Sequence, residues 1–199
     1  MTGPGYALLA ALILLPAVPQ TAESPPRWPT YRISQAPPEL RRQIQRADLV
    51  IISLQDTMLA ELSRDLEQGG PALAIRSCHI DTTSAAYRLA RHEGIEAGRT
   101  SDRLRVPTNM PKPWAAAIVA EHAGKRAAGV EGFAVDLGDR IGVLRPIAER
   151  PVCGACHGDR DKLDPRVRQE LDERYPRDRA LSFQTGELRG WFWAEIPKK

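Results

Sequence analysis

Two thiols and an imidazole fall within five residues in the stretch "CGACH", Cys153 to His157. Covalent haem attachment needs two thiols placed to meet the two vinyl groups of one porphyrin edge. Two intervening residues give that reach in a tight turn. The His directly after the second Cys then comes beneath the ring and can ligate iron through an imidazole nitrogen. Gly154 and Ala155, between the thiols, are small enough for the turn to lie against a macrocycle.

Other chemistries of the same residues are less complete. A zinc site takes four ligands, usually from a second paired cluster. The other candidates here, Cys78, His79, His92 and His122, form no such pair. A disulfide between Cys153 and Cys156 would close a cramped loop and leave His157 without a role. A thioredoxin-type redox pair would sit at a helix start inside a βαβ pattern, which the sequence lacks. The motif therefore points to one c-type haem per chain, with Cys153 and Cys156 as attachment points and His157 as an iron ligand.

The opposite face of the iron must be served from earlier in the chain, because no Met, His or Cys follows His157. Met58 falls on an apolar helix face and reads more simply as core. Met110 lies in a loop between Asn109 and Pro111. Cys78 is the third of three cysteines, and an odd thiol in an oxidising compartment needs a role. On these grounds Cys78 and Met110 compete, and the residues alone do not separate them.

The elements that must position these groups begin with a leader. An apolar run from Tyr6 to Val18 has the length of a secretory h-region and is shorter than the roughly 18 residues that cross a bilayer. Small residues at Thr21 and Ala22 offer a cleavage point, although no Lys or Arg precedes the run. Residues 1–22 are read as a signal peptide or N-terminal anchor, which places the protein in the periplasm or another exported location. Residues 23–36, rich in Pro and polar side chains, are an extended linker or arm. The net charge of +3 is mild and its basic residues are interleaved with acids. That excludes the concentrated positive footprint of a nucleic-acid binder.

Residues 37–197 read as one domain. Leu40, Ile44, Ala47, Ile51, Leu54, Met58, Leu62 and Leu66 recur at helical spacing, and Leu49, Val50, Ile52 and Leu59 widen the stripe, predicting burial on more than one side. Gly69-Gly70-Pro71 should end that helix, with a second one from Pro71 to about His92. A strand follows in "IEAGRT", then an Ala-rich helix from Trp114 to Ala127. A β-hairpin turns near Gly138-Asp139, and a short helix carries Leu163, Val167, Leu171 and Tyr175 on one face. "TGELRGWFWAEIP" is a final strand. Helices followed by strands mixed with short helices give an α+β class.

Four segments together resemble the Tll0287-like haem domain family: "AIRSCHIDTTSAAY", "GRTSDRLRVPTNMPKPW", "LRPIAERPVCGACHG" and "RYPRDRALSFQTGELRGWFWAEI". The last is the most specific, with Tyr175, Pro176, Asp178, Ala180, Gly186, Arg189 and Gly190 reproducing a family pattern. The resemblance implies a PAS-like α+β module with long N-terminal helices and an antiparallel sheet, with haem attached near its C-terminal part. It also implies an axial thiolate, which maps onto Cys78 and favours it over Met110. Val106, Ala115 and Ile141 depart from the family pattern and bear on pocket hydrogen bonds rather than attachment.

Arg99, Arg103, Arg105 and Arg145 are candidates to pair with haem carboxylates, with Arg99 and Arg145 taken forward as cofactor-binding residues. Trp114, Tyr175, Trp191 and Trp193 read as core. No catalytic residue is assigned. The expected function is redox or ligand sensing, or transfer of one electron to a partner of unknown identity, with membrane association only through an uncleaved leader. The alternative is a c′-type or other periplasmic cytochrome with a Met ligand. The c′ type predicts a helix from the motif to the C-terminus.

Overall fold

A computed structural model describes residues 28–76 and 90–199. The expected leader, Cys78, His79 and Tyr87 lie outside the described residues.

The dominant helix, α1 (Arg41–Arg76), follows a 3-10 turn at Pro38–Leu40. Ile44, Ala47, Ile51 and Leu54 are buried along one face of it, which is the spacing that sequence periodicity demands. Burying each of these larger aliphatic side chains stabilises the fold by about 1.5–3 kcal/mol relative to exposure. The break foreseen at Gly69-Gly70-Pro71 is present within α1: Gly70 has φ 69° and ψ −167°. That left-handed φ suits a residue without Cβ, and Pro71 restarts the helix where no backbone N–H is needed. The expectation of burial on more than one side of the helix is corrected at two positions. Leu49 is 69% and Ile52 54% exposed, because the sheet covers only one face.

That sheet has the order β1-β3-β4-β5-β2 and is antiparallel throughout, with β1 (Thr30–Arg32), β2 (Glu96–Thr100), β3 (Phe133–Asp136), β4 (Arg140–Ala148) and β5 (Leu188–Pro197). The stretch read as an extended arm thus contributes the edge strand β1. The β3–β4 hairpin turns at Gly138, as its sequence signals.

Strand alternation divides the core. Phe192, Ala194 and Ile196 of β5 meet α1 together with Ala97, Ile141 and Val143. Trp191 and Leu144 face the other way and pack with Trp114, Ile118 and Val119. Ile118 and Val119 belong to α2 (Ala116–Glu121), which is shorter than the helix expected from Trp114 to Ala127. The chain leaves the helix early because residues 125–127 bond to the entry of β5: Leu188 N donates to the Lys125 carbonyl and Ala127 N to that of Gly186. Helix propensity yields here to a tertiary ladder.

The haem-motif segment forms α3 (Gly154–His157), followed by α4 (Pro165–Arg174). Val167 and Leu171 pack on Ile75 at the end of α1, with Leu163 alongside. Asp164 caps α4, its carboxylate accepting from Arg166 N at 2.7 Å. The result is an α+β domain, a long helix on an antiparallel sheet, as the sequence pattern implied.

Candidate cofactor-binding site

Between α1, the sheet and α3 lies a cavity of about 350 Å³. Its α1 wall carries Met58, Leu59, Leu62 and Leu66, and Ala74 and Ile75 continue it past the Gly70 break. Ile147 and Phe192 form the sheet side. Cys153, Cys156 and His157 all line the same space, so the three residues first picked out by spacing converge on one apolar wall. Val152 sits on the rim, 53% exposed, an apolar side chain beside the first thiol.

His157 is only 6% exposed. Its Nδ1 lies 2.7 Å from the Ala180 carbonyl oxygen. A carbonyl can only accept, so Nδ1 carries the proton and Nε2 the lone pair. Burial, then the neighbouring charges of Arg189 and Arg105, hold the imidazole pKa well below its ordinary value. The ring is therefore held in its neutral form, with a fixed tautomer and its lone pair on Nε2. That is the state a metal-ligating histidine needs.

The loop supplying Ala180 is itself tied down. Asp178 Oδ1 accepts from Ala180 N at 2.8 Å, and Oδ2 accepts from Arg105 Nε at 2.9 Å. Arg105 Nη2 donates to the Cys156 carbonyl at 2.6 Å. One buried arginine thus links the helix carrying Cys156 and His157 to the loop that orients the histidine.

The cations separate into two groups. Arg99, Arg105, Arg150 and Arg189 line the cavity. Arg145 does not; its guanidinium grips Asp48 of α1 in two bonds of 2.7 and 2.6 Å. Arg145, expected to serve the cofactor, thus bridges β4 and α1. Arg103 stacks on Phe183 at 3.5 Å and pairs with Glu187, off the main cavity. Of the methionines, Met58 lines the cavity while Met110 is 66% exposed and apart from it. Trp114 and Trp191 are core, as read, and the Tyr175 hydroxyl donates to the Ile75 carbonyl.

Two residues near this site, Arg189 and Glu149, were given no cofactor role in the sequence reading. The β4–β5 register runs Ile147↔Gly190 and then Ala148↔Leu188, so Arg189 is the extra, bulged residue. A bulge re-aims a side chain that strict alternation would send elsewhere. Arg189 Nη2 meets His157 Nε2 at 2.5 Å, and its Nε lies 3.4 Å from Glu149. Glu149 is 2% exposed. Among the described residues, neither of its carboxylate oxygens accepts a hydrogen bond. Burial raises its pKa, with Arg189 opposing. The family pattern around Gly186 and Gly190 flagged Arg189; nothing in the sequence flagged Glu149.

The residues present fit a haem: two thiols, a neutral imidazole, apolar side chains and four arginines line one cavity. A model of the Tll0287-like family matches residues 33–197. Among solved structures, the crystal structure of the cyanobacterial haem protein Tll0287 matches with a TM-score of 0.56 and 19% identity, covering 82% of this chain and 98% of that one. At that identity the likeness is one of fold. No curated protein matches.

Proposed function

The chain belongs to the Tll0287-like family, and from that premise we propose that it is an exported c-type haem protein. It senses redox state or a small ligand, or passes single electrons to a partner protein. The observation that carries this reading is the convergence of Cys153, Cys156 and the lone-pair nitrogen of His157 on one apolar cavity. Bound there, a haem supplies one-electron iron chemistry.

The chain's own residues do the rest. Cys153 and Cys156 hold the cofactor by thioether bonds. His157 presents Nε2 to the iron, its ring fixed by Ala180. Met58, Leu59, Leu62 and Leu66 exclude water from one face, and Arg99, Arg105 and Arg150 offer guanidinium donors to its carboxylates. Cys78 is the second axial ligand in this reading. The cavity wall runs along α1 to Ile75, shortly before Cys78 in the chain, which supports the assignment. A thiolate opposite a histidine stabilises ferric iron and lowers the reduction potential. No acid, base or nucleophile of an enzyme is proposed.

The c′-type alternative loses its basis, because the chain after the motif ends in β5 rather than in a long helix. The test is absorption and paramagnetic resonance spectroscopy on protein made with export and haem-maturation machinery. The expected result is a haem that acid-acetone does not extract and a low-spin ferric spectrum with thiolate character. A colourless protein, or one whose haem extracts freely, refutes the reading.

A further inference from the structure

Glu149 is a buried acid that the chemistry proposed above leaves without a task. It directly follows β4, where its amide donates to the Glu187 carbonyl and its own carbonyl accepts from Gly186 N. The residue is 2% exposed. Among the described residues, neither of its carboxylate oxygens accepts a hydrogen bond. Ala148 and Arg150, on either side of it in the chain, line the cofactor cavity, and Glu149 does not. Its carboxyl is enclosed by protein rather than by cofactor.

Opposing influences act on that carboxyl. Burial is the largest; it favours the neutral acid and raises the pKa. A carboxylate that gains no hydrogen bond on ionising is costly to hold in such a place. Arg189, with Nε 3.4 Å from Oε2, favours the anion. Arg103 and Arg105, in the loop after β2, act in the same sense, and Glu187 at the entry of β5 acts against them. The balance between the two protonation states is thus set by a few nearby charges, and one more charge in the same low-dielectric region changes it. An electron arriving in the cavity that Ala148, Arg150 and Arg189 line is such a charge.

We propose that Glu149 takes up one proton when the haem accepts one electron and returns it on reoxidation, so that electron transfer at this site is coupled to proton transfer. The inference rests on the haem reading above and adds a proton to its electron. One electron from a one-electron donor reduces ferric iron to ferrous. One proton from bulk water forms the O–H bond of the Glu149 acid, and the net charge of the site is unchanged. Below the oxidised-state pKa Glu149 is protonated in both states, and above the reduced-state pKa it is ionised in both. The potential falls with rising pH only between those two values.

The test uses the full chain matured with haem, titrated between dithionite and ferricyanide at a series of pH values. The slope of potential against pH reads the protons taken up per electron. Wild type should show a window, above the ordinary glutamate range, in which uptake approaches one proton per electron. Glu149→Gln should lose that uptake while keeping covalent haem. The infrared difference spectrum of wild type should gain a carboxylic C=O band on reduction, and Glu149→Gln should lack it. Wild type without covalent haem overturns the haem reading and the coupling together. Haem-loaded wild type and Glu149→Gln with the same slope, or with the same infrared band, overturn the coupling alone. Should Glu149→Gln fail to fold, Arg103→Gln decides, because it removes a cation that faces the carboxyl from off the main cavity. A window moved to higher pH supports the coupling, and an unmoved one overturns it.

Discussion

His157 Nδ1 donates to the carbonyl of Ala180 at 2.7 Å across 23 residues of chain, and this bond sets which imidazole nitrogen faces the cavity. It is held from behind by Asp178 and Arg105, whose paired side chains are only 3% and 5% exposed. The orientation of the imidazole therefore depends on a carboxylate and a guanidinium that hold the Ala180 loop from behind.

Asp178→Ala should be among the most damaging single changes near the site. It strips a buried guanidinium of its anion, a loss of roughly 3–5 kcal/mol, and frees the Ala180 loop from its backbone tie. Chemical denaturation measures the first effect. Loss of a uniform low-spin spectrum in the loaded protein measures the second.

Gly190→Ala tests the bulge. Gly190 has φ 157°, and a Cβ there would lie 2.4 Å from the Thr100 carbonyl oxygen in the neighbouring strand. Neither backbone can yield without shifting Arg189, so the substitution should cost about 1–3 kcal/mol. It should also disturb the haem spectrum, whereas a purely global destabilisation would leave the folded protein's spectrum unchanged.

The carboxyls of Glu170 and Glu149 should shape the pH dependence of stability in opposite senses. Glu170 bonds Arg76 and then Arg174, which hold its pKa below the ordinary value. The unfolded chain then takes up this proton first, so stability falls as pH drops from the ordinary glutamate value through the folded one. Burial raises the pKa of Glu149. The folded chain there keeps a proton the unfolded chain has released, so its contribution is present at low pH and lost as pH rises through the raised value. Denaturation midpoints across the acid range should show a flatter acid limb in Glu170→Gln. Glu149→Gln should flatten the segment above it.

Cys78→Ala should convert a thiolate-ligated ferric spectrum into a different species while leaving covalent haem in place. A spectrum unchanged by Cys78→Ala but altered by Met58→Leu would assign the second axial position to Met58, which lines the cavity.

Much of this arrangement was legible in local sequence. Cys153, Cys156 and His157 could be picked out together because they are local in sequence, and all three line one cavity. The Gly70 break, the Gly138 hairpin and the alternation of Trp191 and Phe192 follow from backbone rules that act over a few residues. What escaped depends on register and on distant partners. The pairing of Arg145 with Asp48, 97 positions away, leaves no mark in the local sequence. Arg189 reaches the cavity only because β5 carries one residue more than β4 at the bulge. Glu149 resembles any surface glutamate in sequence, and it is buried where its backbone bonds to Gly186 and Glu187 at the entry of β5. The helix expected to reach Ala127 stops early because β5 needs those backbone groups.

Peptide mass mapping of the matured protein tests the central claim most directly. A proteolytic peptide spanning Cys153 to His157 should carry the mass of one haem, and Cys153→Ser with Cys156→Ser should abolish that adduct. Recovery of the same peptide from wild type with two unmodified thiols, under conditions that mature a control c-type cytochrome, would contradict the account.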